Sequence, residues 1–262
     1  MIIDLRKPEH AYFYGFALTD GHLREGTRNR GSLSIEVAIR DTELLQKFKT
    51  LFEVNSIYKE RFRETNFTSK KKAGYCSFSI YDLNFRNELK EYGFPVGKKS
   101  DIISPPLKEF SEIDFIRGLI DGDGSVGLTS KGLPFISFTT ASEDIRNYVV
   151  NFINKTLNRN INPQRNKRDN IYNIVIQTIS AQQLYKILYY DNCLCLTRKN
   201  HKEILNWKPQ ILRNIVIPAK RWNKDEDQFI LTHTIEESIK ELNRTYKSIY
   251  KRLWTLKNHM VN

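Results

Sequence analysis

Two hydrophobic rhythms alternate along the chain, and the whole series occurs twice. Residues 33–40, LSIEVAIR, alternate strictly, with Leu33, Ile35, Val37 and Ile39 on one side and Ser34, Glu36, Ala38 and Arg40 on the other. A period of two marks a half-buried strand. Upstream, residues 13–21 form an apolar helical run that closes on Asp20-Gly21. Downstream, the pattern predicts a helix over 42–52, strands over 56–64 and 75–81 around the basic tip 69–74, and a helix over about 83–92. The second half follows the same order. An apolar helix runs into 121–124, then come a strand over 135–140 and an amphipathic helix over 143–157. Strands over 160–165 and 171–179 flank the tip 166–170, and a helix follows over 181–190. Each half reads αββαββα, and the paired prolines within 103–107 mark the joint between them. The expected fold class is α+β, with two pseudo-twofold-related αββαββα units. The expected domains are 1–104, 105–210 and a small all-α segment over 218–262.

The stretch 115–124, FIRGLIDGDG, organises this repeat. Ser111 followed by Asp114 suggests a capping-box-like start. Gly118 lies inside the helix, where glycine costs about 1 kcal/mol against alanine, so another backbone is expected to pass close by. Residues 13–21 match 116–124 position for position. Gly15 falls on Gly118, Asp20 on Asp123 and Gly21 on Gly124, while Leu18 stands where the second copy has Asp121. The two glycines would let the motif helices pack closely, so that Asp20 and Asp123 meet at the base of their interface. A carboxylate at a helix C-terminus opposes the helix dipole, and a cation would repair the mismatch. Asp-Gly is also a common turn pair; its double occurrence inside a long repeat sets these two apart.

The chain carries a formal charge of +12, which points to a polyanionic partner and most simply to nucleic acid. Hydrophobic residues make up 40% of the sequence, enough for a sizeable core. No apolar run reaches the length of a membrane span and no signal peptide opens the chain, so no membrane association or secretion is expected. Cys76, Cys193 and Cys195 cannot build a disulfide framework, and Cys193-Leu-Cys195 lacks a second ligand pair at zinc spacing. A reducing compartment follows, either cytoplasmic (in a prokaryote or phage-infected cell) or organellar. Phosphodiester hydrolysis needs neutralised charge on the phosphate and an activated water, and divalent ions between converging carboxylates supply both. An EF-hand starting at Asp121 is excluded, because Val126 and Gly132 occupy its obligatory glycine and glutamate positions. Lys98 and Lys99 fall at the place that Arg198 and Lys199 take in the second half. Cations there could stabilise charge on a reacting phosphate or orient its water; a solvated basic loop is the alternative.

These residues resemble the LAGLIDADG homing endonuclease family in its single-chain, two-motif form, over about residues 8–205. The resemblance implies a site-specific enzyme that makes double-strand breaks in a long DNA target by Mg²⁺-dependent (or Mn²⁺-dependent) phosphodiester hydrolysis, acting as a monomer and associated with intron homing. It implies Asp20 and Asp123 as catalytic metal ligands, helped by the backbone carbonyls of Thr19 and Gly122. It places a catalytic cation among Lys98, Lys99, Arg198 and Lys199, and polar residues that order solvent at Asp41 and Ser142. A saddle of two sheets would sit in the DNA major groove. The candidate DNA-facing residues are Arg28, Arg30, Ser34, Glu36, Arg40, Lys59, Arg61, Arg63, Lys70 and Lys71 in the first half, and Gln164, Arg165, Lys167 and Arg168 in the second. The C-terminal segment resembles a Myb-like or helix-turn-helix DNA-binding unit, through Trp222, the acids 225–227 and the turn 242–249. Tyr246, Lys247, Tyr250 and Lys251 would then face DNA from a recognition helix; a helical cap on the core is the alternative. Two other functions use the same fold. One is an intron maturase, with intron RNA as partner. The other is a non-catalytic transcription regulator, which loss of the acids would mark; both acids are present.

Overall fold

The apolar run that opens each repeat forms a helix buried along nearly its whole length. The computed structural model of the chain describes residues 1–64, 72–208 and 222–259. Helix α1 (Pro8–Asp20) is buried from His10 through Leu18, and its partner α4 (Glu112–Asp123) from Asp114 through Asp121. They lie backbone to backbone. A Cβ on Gly15 would sit 2.3 Å from the Phe115 carbonyl oxygen, and one on Gly118 2.3 Å from that of Tyr12. No other residue fits at either point, which is why glycine is kept despite its cost in a helix.

Around α1, the first repeat adds β1 (Gly21–Glu25), β2 (Gly31–Ala38), α2 (Thr42–Leu51), β3 (Ser56–Glu64), β4 (Lys72–Ile80) and α3 (Leu83–Glu91). Its antiparallel sheet has the order β1-β2-β4-β3. The register pairs Glu36 with Ser77 and Ser77 with Lys59, so these three share one face. Leu33, Ile35, Val37, Cys76 and Phe78 line the opposite face, which is buried. There Phe13 packs edge-on against Phe48, Phe52 and Phe85, joining α1 to α2 and α3. Lys70 and Lys71 lie outside the described residues.

The second repeat continues from α4 with β5 (Gly124–Leu128), β6 (Pro134–Thr140), α5 (Glu143–Leu157), β7 (Tyr172–Gln177) and α6 (Thr178–Leu188). Among the described residues its sheet has three strands, β5-β6-β7. The strand expected over 160–165 is not formed and leaves a single bridge between Arg165 and Tyr172. Pro163 has no N–H to give a ladder. Its carbonyl accepts from Arg146 at 3.2 and 2.7 Å, and the Asn154 side chain takes both the N–H and the C=O of Ile161. Side chains of α5 thus satisfy the backbone groups that a neighbouring strand would otherwise pair. The expected capping box at Ser111 is also absent. Its hydroxyl donates to the Asp114 carboxylate at 2.5 Å instead of accepting from the backbone.

The chain divides into two units, Met1–Pro209 and Gln210–Asn262. The second contains α7 (Lys224–Thr232), α8 (Ile235–Leu242) and α9 (Tyr246–His259). Reciprocal capping boxes start α7 at Asn223/Glu226 and α8 at Thr234/Glu237. Asn243 ends α8 in the left-handed conformation at φ 49°. Ile230 and Ile249 are buried, as is the Glu226–Arg244 ion pair at 2.8 Å. Arg244 also stacks on Trp222 at 3.9 Å. Among the described residues no helix is long and apolar enough to cross a membrane.

Candidate active site

Because α1 and α4 run side by side through their glycines, their last residues, Asp20 and Asp123, emerge at one mouth, both open to solvent. Two helix C-termini therefore point the same way, each ending in a carboxylate. Protein packed around the Asp20 carboxyl pushes its pKa up to about 6, and the charge of Asp123 adds to the shift. Asp123 is also raised, chiefly by its surroundings, with Lys99 and Lys199 pulling the other way.

Two buried lysines cap these helix ends. Lys99 donates to the carbonyls of Leu18 and, at 2.9 Å, Thr19. Lys199 donates to the carbonyls of Ile120 (2.8 Å), Asp121 (2.5 Å) and Gly124 (2.8 Å). Each ammonium thus binds carbonyls in and just beyond the last turn of its helix, at the negative end of the dipole. Burial lowers both lysines to about 8, although the aspartates favour their charge. Their neighbours differ. Lys98 is exposed, and Arg198 holds the Asp41 carboxylate of the first repeat at 3.0 and 3.1 Å. Beside it the Thr197 hydroxyl donates to Glu43 at 2.9 Å. Ser142 is buried, with its hydroxyl on the Ile103 carbonyl and on the N–H of Ile145 as the cap of α5.

Two clefts flank the mouth, and both take walls from the two repeats. One, of 240 Å³, includes Thr19, Lys99, Asp123 and Thr139; the other, of 230 Å³, includes Asp20, Asp41, Gly122 and Arg198. Two carboxylates raised in pKa at the negative ends of two helices fit a hard divalent cation. Mg²⁺ commonly uses one or two carboxylates and leaves its other positions to water and phosphate oxygens. Among the described residues there is no group of three or more His, Cys, Asp and Glu side chains that would make a closed metal cage.

Sequence reasoning did not single out the residue that anchors this site. Asp121 is fully buried and accepts from the Tyr12 hydroxyl, the Tyr189 hydroxyl and the Leu196 N–H, each at 2.7 Å. It fastens α1, α6 and the segment that delivers Lys199. The available signal was the break in the repeat, where Leu18 faces Asp121 in the alignment. Buried Arg117 holds the same segment through the carbonyls of Leu188 and Leu194, both at 2.8 Å, and pairs with Asp114. In the first repeat, buried Arg86 fixes the β1–β2 loop through Glu25 (2.5 Å) and the Asn29 carbonyl (2.6 Å).

The candidate nucleic-acid residues are scattered more unevenly than the repeat suggested. Lys59, Arg61 and Arg63 alternate along β3, and Glu36 pairs with Arg63 at 2.8 Å and Arg61 at 3.5 Å. Ser34 shares this face and bonds Ser79 at 3.0 Å. Arg28, Arg30 and Arg40 are exposed in loops and turns. In the second repeat Arg165 is committed to the carbonyls of Asn170 and Ala141, both at 3.0 Å, and stacks on Tyr172 at 4.6 Å. Gln164 and Lys167 are exposed, and Arg168 pairs with Asp169 at 2.7 Å. On α9, Tyr246, Lys247, Tyr250 and Lys251 are exposed.

The raised aspartate has a measurable consequence. With a pKa of about 6 in the fold against 3.8 unfolded, the Asp20 carboxyl holds its proton longer in the native state. Its contribution to stability is therefore present below about pH 4 and lost as pH rises through 6. In EDTA, the wild-type melting temperature should fall relative to that of Asp20→Asn between pH 4 and 6. Parallel curves would show that Asp20 titrates as an ordinary surface carboxyl.

Residues 111–189 match the family model of the LAGLIDADG-like domain. No curated protein sequence matches the chain. Among solved structures, the homing endonuclease I-WcaI bound to its DNA recognition sequence matches with a TM-score of 0.53 and 17% identity, over 78% of this chain and 88% of that one. I-SmaMI bound to an uncleaved DNA target in the presence of calcium ions matches with a TM-score of 0.43 and 13% identity, over 70% and 84%. The N-terminal LAGLIDADG domain of DUF199/WhiA matches with a TM-score of 0.46 and 14% identity, over 71% and 83%. The fold is that of the LAGLIDADG homing endonucleases, and the residues that match the LAGLIDADG-like domain, 111–189, lie in its second repeat.

Proposed function

We propose that the protein is a site-specific DNA endonuclease of the homing type. Residues 1–104 and 105–210 would each bind one half of a long duplex target, and the helical segment 218–262 would extend the footprint. The observation that carries this reading is the pair Asp20 and Asp123 at the ends of two backbone-packed helices, flanked by two clefts and backed by two buried lysines. The DNA-bound state of I-WcaI, which shares the fold, supports a DNA partner.

A divalent cation, Mg²⁺ or Mn²⁺, held by Asp20 and Asp123 with the carbonyls of Thr19 and Gly122 as further donors, would supply charge neutralisation at the phosphate and a more acidic water. Everything else falls to the chain itself. Lys99 and Lys199 hold the two helix ends, and therefore the two carboxylates, in place; as ammonium ions they also favour negative charge on a bound phosphate. Lys98 and Arg198 stand beside them at the surface as phosphate contacts. Since the two motif copies lie in one chain, a monomer carries both halves of the site.

The test is Mg²⁺-dependent cleavage of a randomised duplex library by the wild type beside Asp20→Asn/Asp123→Asn. Discrete cut sites from the wild type alone are expected. Specific binding by both proteins with no cutting would point to a DNA-binding regulator, and selection of folded intron RNA over duplex to a maturase. Deleting Ala219–Asn262 should weaken DNA binding and flatten its salt dependence, because fewer phosphate contacts release fewer counterions. Equal affinity and slope across a salt series would remove the helical unit from the interface.

A further inference from the structure

The two sheets turn different chemistry outward. On the first, the register places Lys59, Ser77 and Glu36 side by side, with Arg61 and Arg63 next along β3. Glu36 sits between the two guanidiniums and orders them as a fork of donors. On the second, Ser137 pairs with Val175, Thr139 with Asn173 and Phe135 with Gln177. None of these six is charged. Val175 is 53% exposed, and the Thr139 hydroxyl donates to the Asn173 side-chain Oδ1 at 3.1 Å. The candidate DNA-facing basic residues of this repeat, Arg165, Lys167 and Arg168, follow Pro163 outside the three strands, and Arg165 is already engaged by backbone carbonyls and the Tyr172 ring.

Base edges in the major groove differ in what they ask for. Guanine offers two acceptors, N7 and O6, which suit arginine and lysine. Thymine offers a C5 methyl, which suits an apolar side chain, and adenine suits asparagine or glutamine. We propose that the target is chemically lopsided. The half-site under the first sheet is read through guanine acceptors by Lys59, Arg61 and Arg63. The half-site under the second sheet is A·T-rich and read through thymine methyls by Val175 and Thr139, with Asn173 and Gln177 on adenine. This inference rests on the DNA-endonuclease reading and adds the composition of the substrate to it.

Base analogues test it on the full chain. From the duplexes selected by the wild type, one makes synthetic sites with uracil for thymine, which removes only the methyl, or 7-deazaguanine for guanine, which removes only the N7 acceptor. Binding is measured without divalent metal. Uracil should weaken binding in one half-site and 7-deazaguanine in the other, by roughly tenfold for each well-contacted base. Val175→Ala, an exposed change that the fold tolerates, should erase most of the uracil penalty and leave the 7-deazaguanine penalty intact. Equal responses in both half-sites, or a uracil penalty unchanged in Val175→Ala, would overturn the proposal while leaving the endonuclease reading standing. Failure to select any duplex would overturn both.

Discussion

Gly118→Ala should leave the core unable to hold its two repeats together. The added Cβ would meet the Tyr12 carbonyl oxygen at 2.3 Å and the Phe16 nitrogen at 2.8 Å. Both are backbone atoms of a packed helix, so no rotamer change relieves the clash. The helices must separate along the interface on which the site depends. Overpacking against movable side chains costs about 1–3 kcal/mol, and a backbone-to-backbone clash should exceed that range. Such a loss is a large share of the roughly 5–15 kcal/mol that holds a typical domain folded. Gly127→Ala is the control, since its Cβ would find only ordinary contacts at 3.6 Å. Urea unfolding of both variants decides the matter. A midpoint for Gly118→Ala equal to that of the wild type would mean that the helices do not pack on this glycine.

Asp20→Asn or Asp123→Asn should abolish double-strand cleavage and leave specific DNA binding largely intact. The amide keeps the shape of the carboxylate but lacks the charge that would hold a divalent cation. Both carboxyls resist ionisation in the metal-free fold, so removing their charge should also raise the melting temperature at neutral pH. A variant that is more stable and yet inactive is the signature of strain kept for function. Binding and cleavage lost together, with unfolding, would make these residues structural turns instead. Gel-shift affinity, nicking assays and thermal melts on one preparation separate the two outcomes.

Much of this architecture was legible because the repeat states it twice. The strict alternation over residues 33–40 became β2, and the misplaced glycines of the two motifs became the helix contact. The strand expected over 160–165 failed for a local reason, because α5 supplies side chains that take its backbone groups, and pattern alone does not show that. Adjacent basic residues were equally hard to separate. Lys98 and Lys99 look alike in sequence, but only Lys99 points inward onto a helix end. Burial assigns their roles, and burial depends on long-range packing. Asp121 escaped for the opposite reason. It has no twin in the other motif, and reasoning by duplication favours what is shared.

That unmatched aspartate gives the interface a direction. Asp121 meets the Tyr12 hydroxyl across the helix pair. In the alignment of the motifs, Tyr12 corresponds to Phe115 and Asp121 to Leu18. Two copies of the second repeat would set a buried acid against Phe115, and two copies of the first would strand the tyrosine hydroxyl against Leu18. Separated onto two chains, the repeats should therefore find each other rather than themselves. The two repeats thus fit as lock and key, each shaped for the other and not for a copy of itself.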